Sequence, residues 1–203
     1  MPGVAIGHRL ITEGDERALL PEEMAAFSRS VLKVQRASGA ARLVARELLP
    51  RFGQPPCAIP KSAGGMPVWP DGIVGSLAHD ARIAVAAVAR RQDFLSLGVD
   101  IEPAEPLTAD LLGIVASAKE RQKIQDDLVR GRLLFSIKEA VYKAAYPLDR
   151  AFLDHHDVEV SLPDGTALIR NGRTVAFRYS VASHIVALAF IPASGPLAEG
   201  TGA

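Results

Sequence analysis

The chain has 203 residues, a length that suits one large domain or two small halves. Its 23 basic and 23 acidic side chains cancel, so no global field recruits nucleic acid or a membrane surface, and any basic site must be local. A single cysteine, Cys57, excludes an internal disulfide framework and a cysteine-based zinc cluster and fits a reducing cytoplasm. Residues 1–16 show no strong pattern and no basic stretch ahead of an apolar run, so no signal peptide is expected. Polar residues break every apolar stretch well short of a membrane span.

Pro21-Glu22-Glu23 reads as a helix start, with proline in the first turn and acids at the positive end of the dipole. Met24, Phe27, Val31 and Val34 supply its apolar stripe. Ser38-Gly39 reads as a break before a second helical run that Pro50 stops after Leu49. Arg29, Lys33, Arg36, Arg42 and Arg46 lie along these runs. They make a solvated basic face or, because Arg42 and Arg46 repel at four-residue spacing unless an anion lies near, a phosphate site.

Gln54–Gly65, rich in Pro and Gly and containing Lys61, reads as a loop leading to turns at Pro70 and Asp71-Gly72. Ile73–Ala78 reads as a strand ending at His79-Asp80, and Arg82–Ala89 and Leu95–Ile101 as two further strands, taken to pair antiparallel with one another. Pro103 and Pro106 end the last of these. Leu107–Val115 and Ser117–Val129 read as helices, the second opened by a Ser117/Glu120 capping box. Gly131 punctuates before the helix Phe135–Ala144. Val158–Leu162, Thr174–Val181 and Ile185–Phe190 read as strands, Thr166–Arg170 as a further short one, and the residues from Pro192 as a disordered tail. Helices followed by strands, twice over, make an α+β chain with its boundary near Leu97–Pro106.

The helix Phe135–Ala144 puts Leu134, Ile137, Val141, Ala144 and Ala145 on one side and Phe135, Glu139, Tyr142 and Lys143 on the other. Glu139 and Lys143 alone are a surface ion pair at i,i+4 spacing, worth about 0.3–0.5 kcal/mol. Upstream, Asp100 and Glu102 alternate along a strand and point to one face, where their mutual repulsion favours a cation. Hard oxygen donors of this kind suit Mg²⁺, and Glu139 adds a third carboxylate. Mn²⁺ accepts the same set. Lys138 and Lys143, beside Glu139, could hold phosphates that the metal does not reach.

Gly98-Val99-Asp100-Ile101-Glu102-Pro103 and Phe135-Ser136-Ile137-Lys138-Glu139-Ala140-Val141-Tyr142-Lys143-Ala144 resemble the two signature motifs of the 4′-phosphopantetheinyl transferases. The surrounding sequence resembles the larger single-chain group that activates siderophore, nonribosomal peptide and polyketide synthases. Trp69–His79 resembles that group's segment ending in Ser-x-x-His, and Ala41–Arg46 its arginine-bearing helix. Arg132-Leu133-Leu134 and Tyr146-Pro147-Leu148 fit the flanks of the second motif. The chain departs from the family in having Val34-Gln35 where paired basic residues are common, and Gly64-Gly65-Met66-Pro67 where a lysine is usual, leaving Lys61 as the substitute.

The resemblance implies two pseudo-symmetric halves, each an antiparallel sheet packed with helices, with the active site at their junction: residues 1–98, residues 99–191, and a flexible tail over 192–203. It implies transfer of phosphopantetheine from coenzyme A to a serine of an apo acyl or peptidyl carrier protein, releasing 3′,5′-ADP. Asp100, Glu102 and Glu139 would hold Mg²⁺, and Glu139 would take the serine proton directly or through water. Lys143 would neutralise pyrophosphate charge. His79, Lys138 and Lys61 would contact phosphate, and Arg42 and Arg46 would grip the 3′-phosphate of coenzyme A. A cytoplasmic monomer is expected. Two other readings stay open: a Mg²⁺-dependent phosphotransfer or pyrophosphate-cleaving enzyme that needs no carrier protein, and a relative that binds coenzyme A or a carrier without turnover.

Overall fold

The computed structural model describes residues 1–193. It contains two antiparallel sheets. The first takes the order β1-β3-β2 from Val4–Leu10 (β1), Ile73–His79 (β2) and Ile83–Arg90 (β3). The second runs β4-β8-β7-β6-β5, with β4 at Phe94–Pro103, β5 at Val158–Ser161, β6 at Thr166–Ile169, β7 at Thr174–Val181 and β8 at His184–Pro192. A one-turn helix α1 (Pro21–Met24) precedes α2 (Leu32–Leu48). Helices α3 (Ala109–Val115), α4 (Ala118–Ile124) and α5 (Leu128–Asp149) follow β4. The fold is α+β, with helices on both sheets.

Three apolar contact zones stack these elements. Val44, Ala45 and Leu48 of α2 pack on Ala5, Ile73, Ala86 and Val88 of the first sheet. The opposite face of that sheet, through Val74, Ala78, Val85, Ala87 and Ala89, meets Leu97, Val99 and Ile101 of β4 and Leu188 and Phe190 of β8. Leu134, Ile137, Val141, Ala144 and Ala145 of α5, the face the sequence pattern assigns to the core, cover the far side of the second sheet. β4 is therefore buried on both faces. Its odd-numbered Leu97, Val99 and Ile101 face the first sheet, and its even-numbered positions face α5.

Several sequence expectations change. β3 and β4 do not pair; they lie in different sheets, and β4 is bonded to β8, with Asp100 opposite Ala187 and Glu102 opposite Ile185. The expected limit at 98/99 falls inside β4. β1, within a stretch without sequence pattern, is an edge strand on β3 whose side chains are mostly partly exposed. Ser38-Gly39 does not break α2, because a Cβ at Gly39 would lie 1.9 Å from the Asp15 carbonyl oxygen, so this glycine is a close-packing residue within a continuous helix. Gly131 acts in the same way, with Leu112 Cδ1 2.7 Å from where its Cβ would be, and α5 runs through it. The helix opened at Ser117 ends at Ile124, where Gln125 and Asp126 take positive φ. Pro192 closes β8 opposite Phe94, and the Ala193 N–H bonds the Asp93 carbonyl at 3.0 Å. The rest of the expected tail lies outside the described residues. Among the described residues no helix is long and apolar enough to cross a membrane.

Candidate active site

The even-numbered positions of β4 are graded for contact with α5. A Cβ at Gly98 would sit 1.8 Å from the Ala140 carbonyl oxygen, so strand and helix backbones touch here and only glycine fits. Ser96, one step back, donates its hydroxyl to the Ala144 carbonyl at 2.5 Å. Asp100 and Glu102, one and two steps on, extend along α5 as the two elements diverge. The small Ala140 and Ala144, both fully buried, permit this approach.

Three α5 side chains bond these carboxylates, and Glu139 stands in their field. Lys143 Nζ donates to Asp100 Oδ1 at 2.7 Å and to the Val99 carbonyl at 3.2 Å. Ser136 Oγ donates to Asp100 Oδ2 at 3.0 Å. Arg132 Nη1 donates to Glu102 Oε2 at 2.9 Å. Glu139 has His155 Nε2 at 3.9 Å, an imidazole whose proton affinity burial lowers. Burial pushes the Glu139 carboxyl above the ordinary carboxylate value; Lys143 opposes the shift and Asp100 adds to it. Burial, Asp100 and Asp80 likewise raise Glu102 against the pull of Arg132. Asp100 thus repels both of the other carboxylates, which places the three within one electrostatic field. Arg132 and Ser136 were legible only as parts of a motif. Their signal is the stripe 132, 136, 139, 143, which keeps to one helix face by steps of four, three and four.

As they stand, these groups are held apart by protein cations. Lys143 and Arg132 occupy carboxylate oxygens, and among the described residues no group of three His, Cys, Asp or Glu is set to hold a metal ion. The donor chemistry nevertheless fits a hard divalent cation. Three carboxylates repel one another, two of them have raised proton affinity, and all come from rigid elements.

Beside Lys143 opens a cleft of about 560 Å³, bounded by the loop Ser62–Trp69, Val74–Leu77 of β2, Leu95–Leu97 of β4, Tyr142 and Tyr146 of α5, and Arg150 just past its end. Arg91 and Arg150 line it with Lys143 and were not singled out from sequence. His79 is exposed at the end of β2, with Nδ1 3.2 Å from the Asp80 carbonyl. Asp80 adds to the raised proton affinity of Glu102, so the β2–β3 turn stands near the carboxylates. Lys61 is exposed, its Nζ 5.5 Å from the centre of the Phe27 ring.

Three expected phosphate ligands are occupied elsewhere. Arg42 is 4 % exposed; its guanidinium lies over the Phe27 ring and donates to the Ile59 and Ser38 carbonyls. Arg46 binds Glu23 at 2.7 Å and the Ala18 carbonyl at 2.5 Å. The anion that relieves the repulsion between these two arginines is Glu23, a fully buried carboxylate that also accepts from the Ile59 and Leu20 amides. Lys138 is 1 % exposed and spends its ammonium on Glu120 and on the Val115 and His155 carbonyls. All three of its donors have protein acceptors.

Residues 22–89 match the family described as 4′-phosphopantetheinyl transferase N-terminal domain, and residues 96–189 the 4′-phosphopantetheinyl transferase superfamily. The chain is 38 % identical over 174 residues to 4′-phosphopantetheinyl transferase Svp of Streptomyces mobaraensis, covering 81 % of this chain and 71 % of that protein. It is 40 % identical over 157 residues to 4′-phosphopantetheinyl transferase Npt of Nocardia iowensis, covering 75 % and 71 % of the two chains. With 4′-phosphopantetheinyl transferase PptT of Mycobacterium tuberculosis the identity is 38 % over 146 residues, covering 70 % and 64 %.

Proposed function

The chain belongs to the 4′-phosphopantetheinyl transferase superfamily, and from that membership we propose how its own residues carry the transfer of phosphopantetheine from coenzyme A to a serine of an apo carrier protein. The observation that supports this reading most is Asp100, bonded by Ser136 and Lys143 and repelling both Glu102 and Glu139, with Lys143 on the wall of the 560 Å³ cleft. The serine oxygen attacks the pyrophosphate phosphorus that bears the pantetheine arm. Its proton passes to Glu139, directly or through water, and the bond to the leaving 3′,5′-ADP breaks.

Glu139 suits the base because burial holds its proton affinity up, toward the operating pH. Ser136 fixes the orientation of Asp100, and Lys143, on the wall of the cleft, supplies positive charge where the leaving phosphate gathers it. Asp100, Glu102 and Glu139 would hold Mg²⁺, which when bound supplies charge neutralisation on the pyrophosphate. Lys61, His79, Arg91 and Arg150 are the accessible cations and imidazole left to contact the phosphates of coenzyme A. Arg42, Arg46 and Lys138 are withdrawn from that role. The protein acts as a cytoplasmic monomer in this account, with the N-terminal sheet and α2 as one half and the β4–β8 sheet with α5 as the other.

Incubation with coenzyme A, Mg²⁺ and a set of apo acyl and peptidyl carrier domains tests the proposal by intact mass. Addition of one phosphopantetheine to at least one carrier is expected. No addition to any of them overturns the transferase reading.

A further inference from the structure

The motif lysine that phosphate chemistry leaves unused has a different employment. Lys138 Nζ donates at 2.8 Å to the Val115 carbonyl at the end of α3, at 2.7 Å to Glu120 Oε2 on α4, and at 2.8 Å to the His155 carbonyl. An ammonium has three protons, and all three are taken. Glu120 extends the tie, accepting from the Val160 amide of β5 at 2.9 Å and from the Ser117 amide at 2.9 Å. One buried ion pair therefore fastens α3, α4, the turn His155–Asp157 and β5 to the helix that carries Glu139.

Of those fastened segments, α3, the His155 turn and β5 contribute walls to a second cavity. It has a volume of about 310 Å³ and is lined by Glu139, Tyr142, Ile114, Phe152 and His155, with Lys138, its ammonium turned to protein acceptors, in the wall. The His155 ring stands 3.9 Å from Glu139 and 5.5 Å, centre to centre, from Phe135. Ile114 and Phe152, 56 % and 73 % exposed, give it an apolar rim. Lys143 opens on the 560 Å³ cleft and Glu139 on the smaller cavity, with Tyr142 shared between them. The two cavities thus meet at Tyr142, and the candidate base lines the smaller one.

We propose that Lys138 is a positioning residue for the acceptor side of the reaction: it holds the walls of the cavity beside Glu139 in which the carrier protein's serine segment sits. This rests on the transferase reading above. It separates two donors of positive charge that are five residues apart on one helix, Lys143 on the wall of the larger cleft and Lys138 with its ammonium bonded wholly to protein. Carrier efficiency therefore depends on Lys138, and coenzyme A affinity does not.

The test exploits the asymmetry of buried ion pairs, in which removing one partner is costly and replacing both by apolar groups of similar volume is close to neutral. Full-length wild type, Lys138→Met, and Lys138→Met combined with Glu120→Met are titrated calorimetrically with coenzyme A and assayed for transfer to one apo carrier. Lys138→Met is expected to lose about tenfold or more in kcat/KM for the carrier while its Kd for coenzyme A stays within about twofold, and the double variant to regain most of that loss. Coenzyme A affinity reduced about tenfold in Lys138→Met with carrier KM unchanged overturns the proposal, as does a folded double variant no better than the single one. Should Lys138→Met fail to fold, the double variant decides: near-normal coenzyme A affinity with carrier kcat/KM still measurably below wild type supports the positioning role, and lost coenzyme A affinity or wild-type carrier kcat/KM overturns it. An inactive wild type overturns the transferase reading itself, whereas an active wild type with only the lysine result reversed overturns this inference alone.

Discussion

Gly98→Ala puts one methyl group into the tightest contact between β4 and α5. The new Cβ would lie 1.8 Å from the Ala140 carbonyl oxygen and 2.7 Å from the Ala144 nitrogen, and real Cβ atoms essentially never come closer than 3.0 Å. Strand and helix must therefore part by at least about 1.2 Å. The strand cannot yield, because Gly98 is paired with Ala189 in the ladder and its neighbours Leu97 and Val99 are buried against the first sheet. The helix moves, and with it Ser136, Glu139 and Lys143 relative to Asp100. Overpacking of this kind costs about 1–3 kcal/mol. At an unfolding entropy of about 0.4 kcal/mol per kelvin for a chain this size, the melting temperature falls by about 2–7 °C. A displacement of about 1 Å between catalytic groups lowers kcat by about a hundredfold. Calorimetry and a steady-state transfer assay measure both effects. Gly113→Ala is the control, since nothing lies within 4 Å of its added Cβ, and it should leave Tm unchanged or slightly raised. Wild-type kcat and Tm in Gly98→Ala would refute the reasoning.

Two further outcomes are expected. Glu23→Ala leaves Arg46 and Arg42 without their carboxylate and the Ile59 and Leu20 amides without an acceptor, at a cost of about 3–5 kcal/mol, or about 7–12 °C in Tm; a shift of only a degree or two would show that the arginines are not structural. Because Glu102 and Glu139 hold their protons to higher pH than ordinary carboxylates, a cation binding them must displace protons. Mg²⁺ affinity measured by calorimetry should therefore be weaker near about pH 5 than near about pH 7.5, with proton release on binding, and an affinity independent of pH over that range contradicts the assigned ligands.

The sequence makes the carboxylates legible because strand alternation alone puts Asp100 and Glu102 on one face, and helical spacing alone separates Glu139 and Lys143 from the core side of α5. What it hides is pairing. Nothing local to β4 says that its partner is β8, some 85 residues away, in place of the adjacent β3. Gly39 and Gly131 look like helix breakers because their reason is a neighbouring segment that no helical pattern contains. The burial of the basic residues is hidden for a related cause. Arg42, Arg46 and Lys138 each have an anion, but it is supplied by the protein: Glu23, 19 and 23 residues from the two arginines, and Glu120, 18 residues from the lysine. Burial decides between phosphate ligand and structural cation, and burial at those positions is set by α1 and α4.

The central claim is that the β4–α5 carboxylate cluster performs the transfer with Glu139 as its base. Glu139→Gln keeps the shape of the side chain and removes its proton affinity. With coenzyme A and Mg²⁺ bound and apo carrier mixed in excess, single-turnover mass spectrometry should show the carrier's phosphopantetheine addition slowed by about a hundredfold or more relative to wild type, with coenzyme A affinity and Tm nearly unchanged. A wild-type single-turnover rate in this variant would contradict the account.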